Sequence, residues 1–150
     1  MSVLTIGALA LWRLFGPAPD SGEWAVTGDR YTLCGQRPGS PACVVDGDTV
    51  RIGQRRIRLT GFDAPEMDGA CAAERTRALA ARGELAAWLN AGPFELDGGG
   101  SPPRDKYGRE LRAARRGLGS GQFDLLADHM IAADLAADNG WFDERDWCDG

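Results

Sequence analysis

With 150 residues the chain forms one domain that is large enough to bury a real hydrophobic core. Hydrophobic residues make up 43% and charged residues 26%, an ordinary globular balance that argues against a disordered or fibrous chain. A formal net charge of -5 argues against a protein that coats nucleic acid by bulk electrostatics. Residues 51–116, however, carry 13 Lys and Arg against 9 Asp and Glu, so a local attractive field for a polyanion survives between two acidic ends.

The chain begins with an uncharged run from Val3 to Trp12, followed by Arg13 and Leu14-Phe15-Gly16-Pro17. Its length suits the apolar stretch of an export signal and falls short of the roughly 20 residues that span a bilayer. No basic residue precedes the run, and Pro19 follows Ala18 where a cleavage site is wanted. Three readings stay open: an export signal or short anchor that associates with membrane through residues 3–15, an amphipathic helix packed on the domain, or a start that omits an upstream basic segment. Residues 16–22 are rich in Gly and Pro and read as a linker. The expected division is therefore an apolar segment with its linker over 1–22 and a folded domain over 23–150.

Trp24 to Leu33 partly alternates and reads as a strand or an extended lead-in. Cys34 and Cys43 follow, with Cys71 and Cys148 further on, and no pair has the close spacing of a zinc site. An even count favours two disulfides if the chain is exported, with Cys34–Cys43 as the local pair and Cys71–Cys148 as a long closure. Four buried thiols in a cytosolic protein are the competing reading. Val44-Val45-Asp46-Gly47-Asp48-Thr49-Val50 is an apolar run that ends at carboxylates. Next, Thr49 to Gly53 and Arg55 to Phe62 alternate around Gly53-Gln54, which predicts a hairpin. The second arm leads through Arg58 to Asp63-Ala64-Pro65-Glu66, a second carboxylate cluster.

Ala70 to Leu89 reads as a helix, with Cys71, Ala78, Ala81, Leu85 and Trp88 or Leu89 at helical spacing. Glu74 lies on that stripe and reads as a buried, paired structural carboxylate. Pro93 to Leu96 is a short strand, Asp97 to Pro103 a loop, and Glu110 to Arg116 another strand. Between the last two lies Asp105-Lys106-Tyr107-Gly108-Arg109, which supplies the only lysine and a further arginine. Gln122 to Ala137 reads as a second helix with Phe123, Leu126, Met130, Ala133 and Ala137 on one face. His129, the only histidine, reads as structural or surface, which argues against histidine acid–base chemistry. In the acidic tail, Trp141, Phe142 and Trp147 are expected to pack back onto the body. Few, short strands with helices after them fit a small closed β-barrel with appended helices.

Carboxylates bind a hard cation through oxygen, and arginines bind phosphate through paired donors, so these segments together suit the cutting of a phosphodiester. Val44-Val45-Asp46-Gly47-Asp48-Thr49, Arg58-Leu59 with Asp63-Ala64-Pro65-Glu66, and Asp105-Lys106-Tyr107-Gly108-Arg109 resemble, in order and spacing, the three signature segments of the staphylococcal nuclease (thermonuclease-like) family. The helix pattern Cys71-x-x-Glu74-x-x-x-Ala78-x-x-Ala81 is similar to that of bacterial members, and the resemblance covers about residues 43–137.

It implies an α+β fold, a five-stranded OB-fold barrel with appended helices, and calcium-dependent, sequence-tolerant cleavage of DNA and RNA. Asp48, Asp63 and the backbone carbonyl of Ala64 would hold the calcium. Glu66 would orient or deprotonate the attacking water, Arg58 and Arg109 would clamp the scissile phosphate, and Lys106 and Tyr107 would contact a neighbouring one. Two departures are visible: Ala64 stands where the family usually has threonine, and the segment from Glu66 to Cys71 is short. The expectation is a monomeric metal-dependent phosphodiesterase that favours single strands and works in the cell envelope or outside the cell. A non-catalytic OB-fold module that binds single-stranded nucleic acid is the alternative. A degenerate module would be expected to have lost an Asp, the Glu or an Arg, and here all five are present.

Overall fold

The computed structural model describes residues 24–138 and 145–149. The segment and linker over 1–22, and Trp141 and Phe142 of the tail, lie outside the described residues. The lead-in forms two short strands, β1 (Ala25–Thr27) and β2 (Thr32–Leu33). An antiparallel meander follows: β3 (Ala42–Asp46), β4 (Thr49–Ile52) and β5 (Arg55–Leu59). Gly53 takes φ +58 in the β4–β5 turn, a left-handed conformation that glycine adopts without steric cost. Alternation sends Val50, Ile57 and Leu59 inward and leaves Arg51 and Arg56 exposed.

Helix α1 (Ala72–Asn90) is built from Ala, Leu, Arg and Glu, the residues that lose least on entering a helix. It buries Ala78, Ala81, Leu85, Trp88 and Leu89 against the sheet. Truncating a fully buried leucine such as Leu85 to alanine costs about 2–5 kcal/mol. Its first turn is capped by the Cys71 sulfur, 3.4 Å from the Glu74 amide. No basic residue occupies its last turn; Arg116 instead donates to the Trp88 and Gly92 carbonyls at 2.6 and 3.1 Å.

The chain continues through β6 (Phe94–Leu96), β7 (Glu110–Arg112), β8 (Ala114–Gly119), β9 (Gln122–Leu125) and helix α2 (Leu126–Ala132). The strands form two sheets, ordered β2-β3-β4-β5-β7 and β1-β6-β8-β9. Strand β7 pairs in parallel with β5, and only Ala113 separates it from β8 in the other sheet. The fold is thus α+β. The pairing of the described strands gives two sheets, where the sequence leads to one closed five-stranded barrel.

The second helix is shorter than its apolar stripe suggests. Gln122 to Leu125 forms a hairpin arm on β8 around Ser120-Gly121, with Phe123 opposite Gly117 and partly exposed. Leu126 and Met130 begin the true helical face, and both are buried. A spacing of three or four residues cannot distinguish a strand that leads into a helix from the helix itself.

Tyr31, Trp88 and Phe94 form an aromatic cluster in the core, with ring centroids 6.0 and 5.6 Å from that of Phe94. Cysteine chemistry adds two covalent ties. Cys34–Cys43 joins the end of β2 to β3, and Cys71–Cys148 joins the cap of α1 to the tail 77 residues on. By chain entropy these closures stabilise by about 3 and about 4–5 kcal/mol. Trp147, beside the second bond, sits under the Arg77 and Arg145 guanidinium groups.

Candidate active site

A bulge at Val45 breaks the β3–β4 register just before the Asp46-Gly47-Asp48 turn and re-aims the chain there. Asp46 Oδ1 accepts the Asp48 amide at 3.1 Å. Gly47 is required by packing, because a Cβ there would lie 2.8 Å from those of both Ala64 and Ala81. The turn therefore presses against α1 and drives the Asp48 side chain inward, where the residue is 6% exposed.

Asp48 is bonded incompletely for a buried charge. The Thr49 hydroxyl donates to its Oδ1 at 3.0 Å; the Ala64 amide and Arg58 Nη2 lie 3.4 and 3.3 Å from its Oδ2. Burial pushes its carboxyl up to about 7; Arg58 offsets part of that, and Asp46 adds to it.

Arg58 stands on β5 opposite Thr49. Its Nη1 is held by the Leu59 and Phe62 carbonyls, at 2.5 and 3.3 Å, so the loop after β5 fixes the guanidinium. Its Nη2 lies between Asp48 and Asp63, 3.3 and 3.2 Å from their oxygens. Asp63 is anchored by its backbone, which exchanges two hydrogen bonds of 2.8 Å with Ala137, while its side chain remains exposed. Two carboxylates, one buried and one open, thus converge on one cationic nitrogen. Ala64, between Asp63 and Pro65, is buried.

Glu66 lies on the loop before α1, and its amide donates to Glu74 Oε2 at 3.1 Å. Glu74 Oε1 accepts the Ala70 amide at 3.3 Å, so one carboxylate ties the loop to the first turn of the helix. The structure corrects the expectation of a buried carboxylate there: Glu74 is paired with the Glu66 and Ala70 amides but only half-buried. Partial burial and the charges of Asp46, Asp63 and Asp68 raise the Glu66 carboxyl above its usual value.

The third segment is organised by Asp105. Its Oδ1 accepts the amides of Tyr107 and Arg109 at 2.9 and 3.0 Å, and its Oδ2 accepts Arg109 Nε at 2.6 Å. Arg109 Nη1 reaches to 3.5 Å from the Thr49 hydroxyl, which links it to Asp48. Lys106 and Arg109 flank the Tyr107 ring, 5.1 and 5.5 Å from its centroid, and Tyr107 is 61% exposed.

Asp48, Arg58, Asp63 and Arg109 are thus joined by one polar chain, with Glu66 close enough to feel Asp63. Lys106 and Tyr107 stand at its edge. The sequence pattern assigned no role to Thr49 or Asp105, although both lie inside the three carboxylate and arginine segments. His129 pairs with Glu84 of α1 at 2.7 Å, outside this chain. A cleft of about 760 Å³ between α1 and the tail, near Ala73, Leu135 and Trp147, shares no residue with it.

Among the described residues no group of three His, Cys, Asp or Glu side chains gathers closely enough to hold a metal by side chains alone. A cation here would draw on two carboxylates, a backbone carbonyl and water. No protein-family model matches this chain, and no curated protein is a match to it.

Proposed function

We propose that this domain is a calcium-dependent endonuclease that hydrolyses phosphodiester bonds of DNA and RNA with little regard to sequence and a preference for single strands. The observation that carries this reading is the convergence of Asp48 and Asp63 on one cationic nitrogen, with Arg109 tied to the same group through Thr49. An oxygen-only donor set, one member of it buried and incompletely neutralised, fits a hard divalent cation. The parallel pairing of β5 with β7 across α1, and the passage of residues 110–119 from one sheet into the other, support reading the two sheets as parts of an OB-fold of the staphylococcal-nuclease kind.

Asp48, Asp63 and the Ala64 carbonyl would hold calcium, which when bound supplies Lewis-acid polarisation of the phosphate. Arg58 and Arg109 donate to the phosphate oxygens, whose charge grows as water attacks phosphorus and the bond to the leaving oxygen breaks. Glu66 takes the proton of that water, and its raised carboxyl makes it a stronger base than a free glutamate. Lys106 and Tyr107 contact a neighbouring phosphate. Two disulfides favour work outside a reducing cytoplasm, in the bacterial envelope or beyond it.

Incubation of denatured DNA with calcium, with and without chelator, tests the reading. Cleavage in calcium that stops in chelator is expected, with magnesium supporting less. Full activity in chelator, or none at any calcium concentration, overturns it, and binding without cleavage would favour the non-catalytic module.

A further inference from the structure

On the β4–β5 hairpin Thr49 faces Arg58 across the strands, and Arg51 faces Arg56. Alternate residues share a face, so these four side chains lie on one side of the sheet, the side that carries the candidate site. The Arg51–Arg56 row lies about 6.6 Å along the strands from the Thr49–Arg58 row. Like charges directly opposite one another destabilise a strand pair. Among the described residues neither charge is compensated by a carboxylate. The hairpin's other two arginines pair with carboxylates, Arg55 with Glu110 and Arg58 with Asp48 and Asp63. Neither Arg51 nor Arg56 forms an ion pair with any described carboxylate, and both are exposed. Arg56 Nη2 donates to the Tyr107 carbonyl at 2.5 Å, so this row also anchors the loop that presents the exposed Tyr107 ring beside Lys106 and Arg109.

We infer that Arg51 and Arg56 form a second phosphate site, which holds the backbone of a single-stranded nucleic acid one step beyond the Arg58–Arg109 clamp. An uncompensated cationic row next to an exposed tyrosine is the arrangement that holds a strand without reading its sequence: guanidinium groups and the Tyr107 hydroxyl take phosphates, and the exposed face of its ring takes a base. A duplex is a poorer fit, because its bases are stacked away from Tyr107. The inference deepens the nuclease reading and rests on it for the placing of the strand.

The test is binding of a fluorescent thymidine oligonucleotide of about ten nucleotides, in chelator so that no cleavage occurs, measured across a salt series. Arg51→Gln is expected to weaken binding about 3–10-fold at low salt and to flatten the plot of log affinity against log salt by about 0.7, the loss of one phosphate contact to a single strand. Arg51→Lys should keep the slope. Arg30→Gln, which removes an exposed charge beside the end of α1, should leave it unchanged. The melting temperature of Arg51→Gln should equal or exceed that of the wild type, since an opposed pair of charges is relieved. Wild-type affinity and slope in Arg51→Gln, an equal loss in Arg30→Gln, or a fall in melting temperature would each overturn the inference. The two readings fail separately. Arg51-dependent binding with no cleavage in calcium sinks the nuclease and leaves the phosphate site, whereas cleavage with Arg51-independent binding does the reverse.

Discussion

Asp48 and Glu110 are both buried carboxylates with arginines around them, 6% and 3% exposed, and their protonation is pushed in opposite directions. Glu110 receives Nε and Nη2 of Arg55 at 2.7 and 2.9 Å and Nε of Arg112 at 2.7 Å. Those bonds, with Arg55 first, hold its carboxyl down to about 2. Asp48 has one arginine at 3.3 Å and a second acid beside it, and burial carries it up to about 7. Burial outweighs the single arginine contact at Asp48, whereas the arginine hydrogen bonds outweigh burial at Glu110. Short, forked bonds satisfy a buried charge, whereas one long contact leaves it in deficit. Glu110 is thus a finished structural ion pair, and Asp48 is a group that still lacks positive charge.

The strongest way to break the contrast is to remove the arginines of each cluster in turn. Arg58→Ala and Arg109→Ala should each lower turnover on denatured DNA by about 10²–10³, the loss of about 2.7–4 kcal/mol of transition-state stabilisation. Arg55→Ala should lower the denaturation midpoint and leave turnover per folded molecule as it was. More than half of wild-type turnover in either of the first two variants would remove them from the site.

Stability sharpens the comparison next. Glu110→Gln should cost about 3 kcal/mol in denaturant unfolding, because it strands Arg112 in the interior. The folded value near 2 lies below the usual 4.5, so the stabilisation is present above pH 4.5 and is lost as pH falls from there through 2. Its size is about 2 kcal/mol, less than the full shift implies, since Arg55 is half-exposed. A flat midpoint across that window would deny Glu110 this role.

Asp48→Asn should act with the opposite sign. The folded value near 7 lies above the unfolded 3.8, so Asp48 costs stability progressively as pH rises from 3.8 to about 7, and the full penalty is present above that. In chelator at pH 8 the asparagine variant should therefore unfold about 1–2 kcal/mol later than wild type, and it should need more calcium for cleavage. Destabilisation there would show that Arg58 already satisfies the charge.

The smallest effect is expected at Glu74. Glu74→Gln keeps its size and loses the charge that accepts the Glu66 and Ala70 amides, so turnover should fall about 10-fold with calcium affinity little changed, a loss of about 1.4 kcal/mol. Calcium titration of cleavage separates this from a metal-binding role.

The β4–β5 hairpin and α1 could be read in the sequence because their patterns are local: strict alternation around Gly53-Gln54, and a long stripe at helical spacing. The three carboxylate and arginine segments were equally visible as strings. The β8–β9 hairpin was hidden because Phe123, Leu126 and Met130 suit a helix as well as a strand that runs into one. Glu110 and Arg112 were hidden for a different reason. An acid and a base in an alternating strand read as a solvated face, and only the parallel pairing of β5 with β7 brings Arg55 to them. Nor could any string show that Arg58 bridges both acids, since that depends on the carbonyls of the loop after it.

The bond between Cys71 and Cys148 also has a consequence in time. Cys71 caps the helix whose first turn fixes the Glu66 loop, yet its partner is made 77 residues later. A ribosome must release the chain past Cys148, and an oxidant must reach it, before that end of the helix is locked. This tie on the helix that holds the loop with the proposed base can therefore form only after Cys148 has been made.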